Sequence, residues 1–297
     1  MKRHPIFIIF GIVLFAVLVV VSIYLFKRDV SLGYDFNEPD ELIVLPDTLH
    51  EISGITLGND NSLFCVQDEN GILFQFNTEN KEIVREEVFG KDGDYEGVCR
   101  VGSVFYVLRS DGVLFELNEQ ALEVKSEADV PEIGGLKVKK HRLKLDASEN
   151  EGLCYDDQNN RLLIISREQS PHSHANERQV YAFDLVKNRV SKKPVFSLNP
   201  FTGKWKKQSD LLFRPSELAI HPVTGEFFVI SSKDHALFVF SPKGKIKKIY
   251  LLNPLIFNKP EGLAFLANGD LYISNEGKHE KPTLLFFQYK RSKKKNN

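Results

Sequence analysis

The stretch Glu96-Gly97-Val98 is one copy of a tripeptide that returns along this chain of 297 residues. Spacings of roughly 40 to 70 residues between such copies are typical of a repeat architecture. If the repeats surround an axis, the same position of every repeat points at the same place, and the glutamates converge there. The other copies are Glu151-Gly152-Leu153, Glu217-Leu218-Ala219 and Glu261-Gly262-Leu263, together with a weaker one, Ser53-Gly54-Ile55, which has Glu51 two residues before it.

Each tripeptide is followed by short runs of β-branched and aromatic residues. In one repeat these runs are 227–232, 237–241 and 246–251. Turn residues such as Pro222-Val223-Thr224-Gly225 precede most of the first runs, and this combination predicts buried strands after tight turns. The last run of several repeats is more polar, as expected for an outer strand with one solvated face.

Four strands in each of five repeats predict an all-β, five-bladed β-propeller over residues 41–290. The last repeat has only three strands, and we expect Glu41–Pro46, just before the first repeat, to supply its fourth. Two stretches, 119–144 and 199–214, exceed the repeat and are interpreted as insertions or elongated blades. A six-bladed propeller that uses the longer gap around Trp205 is the alternative.

The ends of the chain differ from the repeats. Pro5 to Phe26 carries no charge, lies between Lys2-Arg3 and Lys27-Arg28, and as a helix is long enough for a bilayer core of about 30 Å. Residues 1–28 are therefore predicted to be an uncleaved signal anchor, a single transmembrane helix, with a cleaved signal peptide as the alternative. Residues 29–40 are predicted to be a linker, and residues 291–297 a basic, disordered tail.

This arrangement predicts a single-pass protein of the cell (inner or plasma) membrane whose propeller faces the periplasm or the exterior. The net charge of -1 argues against nucleic-acid binding, because the chain has no global basic field. The chain has an odd number of cysteines, namely Cys65, Cys99 and Cys154, and all three lie in apolar runs. We therefore interpret them as buried, inert thiols. His221, before Pro222, is interpreted as a turn or packing residue.

Several motifs resemble the SdiA-regulated (YjiK-like) family over about residues 40 to 290. The resemblance implies a five-bladed propeller behind an N-terminal membrane segment, a calcium site and a distant relation to NHL-repeat propellers. It brings no established biochemical activity. Ser53 departs from the pattern, because it stands at the first glutamate position. The motifs are Ser53-Gly-Ile, Asp68-Glu-Asn-Gly71, Asp94-Tyr-Glu-Gly-Val98, Glu151-Gly-Leu-Cys-Tyr-Asp156, Pro215-Ser-Glu-Leu-Ala-Ile-His-Pro222 and Pro260-Glu-Gly-Leu-Ala264.

Antiparallel neighbours begin and end at opposite faces, so residues before the first strand and after the second strand of a blade share one face of the disc. Carboxylate and amide oxygens without clustered His or Cys suit a hard cation, calcium before zinc or copper. The alternative is structural, with arginines neutralising the glutamates or glutamates capping backbone N–H groups. The predicted metal ligands are Glu96, Glu151, Glu217, Glu261 and Asn275, and the same face is predicted to hold Glu51, Asp68, Arg109, Arg167 and Glu276.

Two functions are compatible with these features. The favoured one is a calcium-binding interaction module for an extracytoplasmic protein, peptide or glycan, since propellers often serve as binding platforms. The alternative is a calcium-dependent hydrolase of the lactonase or phytase type, in which the metal polarises a carbonyl or phosphoryl group. A phytase would need a dense Lys/Arg collar, and Arg109, Arg167 and Lys233 form a thin one.

Overall fold

The computed structural model describes residues 32–58, 62–118, 136–146, 149–171, 173–174, 176–207 and 210–290. The predicted anchor and the basic tail lie outside the described residues. Within the described part, no helix has the length and apolar character needed to cross a membrane. The regular structure there consists of strands and short 3₁₀ helices at Asp47–Leu49, Asp157–Asn159 and Gly203–Trp205.

The strands form separate antiparallel sheets, and their bounds follow the runs expected from the sequence. They are β1 (Glu41–Val44), β2 (Ile52–Leu57), β3 (Ser62–Gln67), β4 (Ile72–Asn77), β5 (Glu82–Val88), β6 (Tyr95–Val101), β7 (Val104–Arg109), β8 (Val113–Asn118), β9 (Lys137–Arg142), β10 (Asn150–Asp156), β11 (Arg161–Ser166), β12 (Arg178–Asp184), β13 (Arg189–Val190), β14 (Phe196–Leu198), β15 (Glu217–Ile220), β16 (Phe227–Ser231), β17 (Ala236–Phe240), β18 (Ile246–Leu251), β19 (Pro260–Phe265), β20 (Leu271–Asn275) and β21 (Thr283–Phe287).

Five sheets confirm the five-bladed propeller, and the six-bladed alternative is wrong. Blade 1 contains β2–β5, blade 2 β6–β9, blade 3 β10–β14, blade 4 β15–β18, and blade 5 β19–β21 with β1. The first strands of the blades contact one another in the order β2, β6, β10, β15, β19 and back to β2. These five inner strands therefore enclose the axis of the disc.

The predicted closing strand is present. β1 pairs with β21 in antiparallel register, from Glu41 opposite Phe286 to Val44 opposite Thr283. The N-terminal part of the propeller thus completes the last blade, which leaves no open edge in the ring of blades.

The two long stretches have different explanations. Stretch 119–144 contains β9, the outer strand of blade 2, so the excess length lies in the connection between β8 and β9. Stretch 199–214 links blade 3 to blade 4 and contains the 3₁₀ helix Gly203–Trp205. Trp205 packs at the edge of the core between these blades, and the described residues of this stretch form no strand.

Residues 32–40, which we call the N-terminal strap, pack into the propeller although all of them fall in the predicted linker. Tyr34 is completely buried, and Phe36 lies edge-on to Tyr250 and Phe287. Nδ1 of His221 accepts the backbone N–H of Val223 at 3.1 Å, so Nε2 carries the hydrogen that is donated to the Tyr34 hydroxyl at 2.9 Å. His221 is therefore a buried packing residue, as predicted, with a pKa lowered by burial.

The glycine of the repeated tripeptide is required by the contact between neighbouring inner strands. A Cβ atom on Gly54 would lie 2.6 Å from the backbone nitrogen of Val98, and one on Gly152 would lie 2.7 Å from that of Leu218. Real Cβ atoms do not approach backbone this closely, so only glycine fits where one blade's backbone crosses the next. The three cysteines are buried free thiols, as expected.

We predict that Gly97→Ala lowers the free energy of unfolding by about 3 kcal/mol or more, because the added methyl must push two inner strands apart. Its Cβ would lie 2.8 Å from the carbonyl oxygen of Glu151. The matched control is Gly102→Ala, whose Cβ meets nothing within 4 Å but whose φ of +63° costs about 1 kcal/mol for alanine. Urea unfolding of both variants measures the difference, and equal losses would contradict the close-contact explanation.

Candidate functional site

The beginnings of the inner strands and the ends of the second strands share one face of the disc, which we call the acidic face. In blade 3, Asn150 at the start of β10 is opposite Ser166 at the end of β11. In blade 5, Pro260 is opposite Asn275 in the same way. The pairing confirms the predicted geometry of this face.

Four blades have a β-bulge at this end, which positions a glutamate in three of them and Ser53 in blade 1. The register between first and second strands shifts just where the tripeptide begins, for example between Tyr95 and Gly97 in blade 2 and between Asn150 and Gly152 in blade 3. A bulged residue is left out of the ladder, which re-aims its side chain. The residues within these shifts that point into the axial opening are Ser53, Glu96, Glu151 and Glu261.

These side chains line a cavity of about 250 Å³ at the centre of the acidic face. Seven of its lining residues are acidic and two are basic, and none of the described lining residues is His or Cys. The excess of carboxylates in a partly enclosed space favours either proton uptake or a bound cation. The lining residues are Ser53, Asp68, Asp94, Glu96, Glu149, Glu151, Arg167, Lys259, Glu261 and Glu276.

Glu96 and Glu151 form the core of the cavity. The Ser53 hydroxyl lies 2.9 Å from Oε2 of Glu96, and Nη2 of Arg167 donates to Oε2 of Glu151 at 2.8 Å. Burial raises the pKa of Glu96 to about 7, and the nearby charge of Asp94 adds to this rise. Burial, together with the charge of Glu96, also raises the pKa of Glu151 well above its usual range. The pair therefore favours holding a proton near neutral pH.

A second group surrounds Lys259. Its Nζ contacts Glu276 and lies 3.5 Å from Oε1 of Glu261, so one ammonium serves two carboxylates. Burial raises the pKa of Glu276 to about 7 despite the opposing charge of Lys259. Burial also raises the pKa of Asp68 to about 6, and Glu51 contributes to the rise.

Glu51, Asp68 and Glu276 can each offer one carboxylate oxygen such that these atoms all lie within 4.8 Å of one another. Oδ1 of Asp68 is buried and has no hydrogen-bond partner in the described structure. A Ca²⁺ ion binds oxygens at about 2.3–2.6 Å, so it can bridge oxygens up to about 5 Å apart. The donor set and the unsatisfied oxygen therefore fit a calcium ion.

Glu217 does not line the cavity, although it occupies the same position of the repeat. Blade 4 has Leu218 in place of glycine, and its inner strand keeps a regular register from Glu217 opposite Ile230 onward. Without the bulge, Oε1 of Glu217 instead accepts the backbone N–H of Leu153 in blade 3 at 2.8 Å. It also accepts the N–H of Leu218, as in the capping alternative.

Two other predicted site residues also have structural partners elsewhere. Nδ2 of Asn275 donates to the Thr283 hydroxyl at 3.0 Å, and Asn275 does not line the cavity. Arg109 forms a two-point ion pair with Asp111 at 2.9 and 3.0 Å, away from the axial opening. Metal ligation by Glu96, Glu151 and Glu261 stays a prediction.

Three lining residues were missed from the sequence, namely Asp94, Glu149 and Lys259. Each stands two residues before the tripeptide of its repeat, as Glu51 does in blade 1. Each therefore lies directly before the inner strand of its blade, at the same end as the glutamate of the tripeptide. Aligning the repeats on the tripeptide would have found this second ring of charged residues.

The raised pKa values predict that the metal-free protein loses stability as the pH rises. The folded state keeps protons on Glu96, Glu276 and Asp68 that the unfolded chain releases above about pH 4.5, so unfolding is favoured as these groups ionise. Because one pKa unit corresponds to about 1.4 kcal/mol and the pKa of Glu96 alone rises from 4.5 to about 7, we expect the free energy of unfolding to fall by at least about 3 kcal/mol between about pH 4.5 and about pH 7.5.

Urea unfolding of chelator-treated protein across this pH range measures the effect. Glu96→Gln should flatten the pH dependence, because the amide cannot ionise. Glu86→Gln, on an exposed site of β5, is the matched control and should keep the parental slope. A slope that Glu96→Gln leaves unchanged would contradict the assignment.

Solved structures share this fold. The crystal structure of Myxococcus xanthus glutaminyl cyclase matches 84% of this chain and 95% of its own, with a TM-score of 0.57 and 15% sequence identity. The aldose sugar dehydrogenase from Streptomyces coelicolor, in a form with bound PQQ, matches 84% of this chain and 97% of its own, with a TM-score of 0.51 and 10% identity. At such low identity the similarity shows the fold alone.

Comparison with curated proteins found no match. A family description, in contrast, covers the propeller. Residues 41–289 match the sequence model of the SdiA-regulated family. The matched range begins at β1 and ends just after β21, so it includes all five blades and the closing strand. The chain therefore belongs to the SdiA-regulated family.

Proposed function

We propose that this protein is a membrane-tethered, extracytoplasmic calcium-binding propeller that serves as a binding module. The acidic face would present a calcium-stabilised surface to a protein, peptide or glycan outside the cytoplasm. The observation that carries this proposal is the convergence of Glu51, Asp68 and Glu276, whose oxygens lie within 4.8 Å of one another; Asp68 and Glu276 also line the acidic cavity.

Electrostatics supports a bound cation. At neutral pH, ionisation of both Asp68 and Glu276 is opposed by their burial and by repulsion among these two carboxylates and Glu51. Lys259 supplies only one compensating positive charge. A divalent cation removes this repulsion by binding all three carboxylates at once. Oxygen ligands from carboxylates are those that Ca²⁺ prefers.

The same charge distribution limits the partners. A cavity with seven acidic side chains repels phosphate groups, so the acidic face does not suit a nucleic acid. Arg167 and Lys259, the basic residues of the lining, both contact glutamates. This leaves no dense basic collar among the described lining residues, and phytase-type chemistry is therefore less well supported than binding.

The membrane tether in this proposal is the uncharged segment Pro5 to Phe26. An anchor of this kind would hold the propeller on the periplasmic or outer side of the cell membrane. The absence of disulfides among the described cysteines is compatible with that placement, since the core does not need them for stability.

A calcium-dependent hydrolase of esters or lactones remains a second candidate because of one observation. Glu96, with a pKa raised to about 7 by burial, could take and return a proton at neutral pH, which a general acid–base group must do. The same fold occurs in an enzyme, since one of the similar structures is a glutaminyl cyclase. A calcium ion would then polarise the substrate carbonyl.

We expect the purified full-length protein in detergent to bind Ca²⁺ after chelator treatment, with a rise in melting temperature of about 5 °C at saturation. Asp68→Asn and Glu276→Gln should each weaken binding at least about tenfold, because each removes one charged ligand. Isothermal titration calorimetry and thermal unfolding measure both effects.

Two further variants sharpen this test. Glu86→Gln, an exposed charge on the outer strand of blade 1, should bind calcium like the parent. Glu151→Gln distinguishes a calcium ion held by Glu51, Asp68 and Glu276 from one held by the repeated glutamates. If this change alone strongly weakens calcium binding, the ion lies at Glu96 and Glu151 instead. No heat and no thermal shift in the parent would refute the calcium site.

If the hydrolase alternative holds, calcium-loaded protein should cleave some members of a panel of lactones and carboxylic esters. Glu96→Gln should then lower the rate by about 10²–10⁴-fold, as expected for loss of a general acid–base group, without weakening calcium binding comparably. Failure to cleave any member of the panel would favour the binding module.

A further inference from the structure

The N-terminal strap fixes where the chain enters the propeller. Besides its contact with His221, the Tyr34 hydroxyl donates to the carbonyl oxygen of Gly269. His221 belongs to the turn between β15 and β16, and Gly269 to the turn between β19 and β20. Turns between first and second strands lie on the face opposite the acidic cavity, which we call the turn face. The chain therefore enters at the turn face, between blades 4 and 5.

The C-terminal end of the propeller lies at the same point. The backbone N–H of Lys290 donates to the carbonyl oxygen of Gly33 at 2.8 Å, and the rings of Tyr34 and Tyr289 lie 5.4 Å apart. The sequence contains basic residues on both sides of this contact, before the strap and after Lys290. The residues concerned are Lys27 and Arg28 on one side, and Arg291, Lys293, Lys294 and Lys295 on the other.

The connection to the predicted anchor is short. Residues 27–31 are all that lies between the uncharged segment, which ends at Phe26, and the first residue of the strap. A fully extended chain spans about 3.3–3.6 Å per residue, so this connection reaches less than about 20 Å. Because buried Tyr34 fixes the strap to the propeller, this short connection prevents the propeller from moving freely relative to the anchor.

We infer that the turn face lies against the membrane, with the basic C-terminal residues on anionic lipid headgroups, and that the acidic face points away from the bilayer. This inference rests on the proposed membrane anchor. Clustered Lys and Arg beside a transmembrane segment are attracted to anionic lipids, whereas the acidic cavity is repelled by them. Lys290 contributes less than the other basic residues, because its Nζ lies 4.0 Å from Asp40.

The turn face is also the less polar end of the axial opening. A second cavity of about 420 Å³ lies between the ends of the inner strands, with apolar side chains such as Leu57, Ile220 and Phe265 in its lining. Proximity to lipid is compatible with these side chains. The orientation leaves the calcium-binding face open to partners from the far side of the membrane.

The orientation can be measured on the full-length protein in vesicles of phosphatidylcholine and phosphatidylglycerol. Donor dyes are attached in turn to Ala267→Cys, in the β19–β20 turn, and to Lys233→Cys, in the β16–β17 turn on the acidic face, both of which are exposed sites. Strands of about six residues separate the two faces by about 20 Å. Energy transfer to headgroup-labelled acceptor lipids should be at least about twofold greater from position 267. The parent, with its buried cysteines, controls for background labelling.

A tail variant tests the lipid contact separately. Replacing Lys293, Lys294 and Lys295 with glutamine should lower energy transfer from position 267 in anionic vesicles and leave it unchanged in pure phosphatidylcholine. Equal or greater transfer from position 233 would overturn the orientation while leaving the anchor intact. An unchanged signal from the tail variant would overturn the headgroup contact. Failure of the parent to float with vesicles would instead refute the anchor, and the inference with it.

Discussion

The close approach of neighbouring inner strands is the constraint on which the rest of this propeller depends. At Gly54, Gly97, Gly152 and Gly262, a Cβ atom would lie within 2.6–2.8 Å of atoms of the neighbouring blade or of its own second strand. Five blades form a tight ring, so the inner strands must cross at backbone contact distance. The repeated glycine is thus a packing requirement, and it is the reason why the tripeptide is visible in the sequence.

The same constraint creates the acidic cavity. The glycines lie within or directly after β-bulges, and each bulge leaves the glutamate before the glycine out of the ladder, so that Glu96, Glu151 and Glu261 point into the axial opening. Blade 4 is informative because it lacks both features. Its Leu218 supports a regular strand, and its glutamate satisfies backbone N–H groups instead. The architecture that closes the ring therefore also concentrates negative charge at one end of its axis.

That concentration of charge is balanced only in part by the protein itself. Arg167 and Lys259 neutralise individual glutamates, while burial keeps the pKa values of Glu96 and Glu276 near 7. A metal-free site would hold protons, and a calcium ion would displace them. The two ends of the axis consequently differ in chemistry, and the contacts of Gly33 with Lys290 and of Tyr34 with Tyr289 place both ends of the described chain at the turn face.

The sequence by itself determined the propeller repeat, the closing strand before the first repeat, and the face on which the glutamates gather, and it favoured five blades over six, a choice that the five sheets settled. These features follow from periodicity, because equivalent positions of a repeat occupy equivalent places around an axis. Only the tertiary structure decided which side chains meet. Glu217 and Asn275 have the expected residue types but hydrogen-bond to neighbouring strands or to their own blade, whereas the second ring of charges came from residues two positions earlier. The direction of a side chain depends on local register and on backbone groups of the next blade, and neither is encoded in the spacing of the repeat.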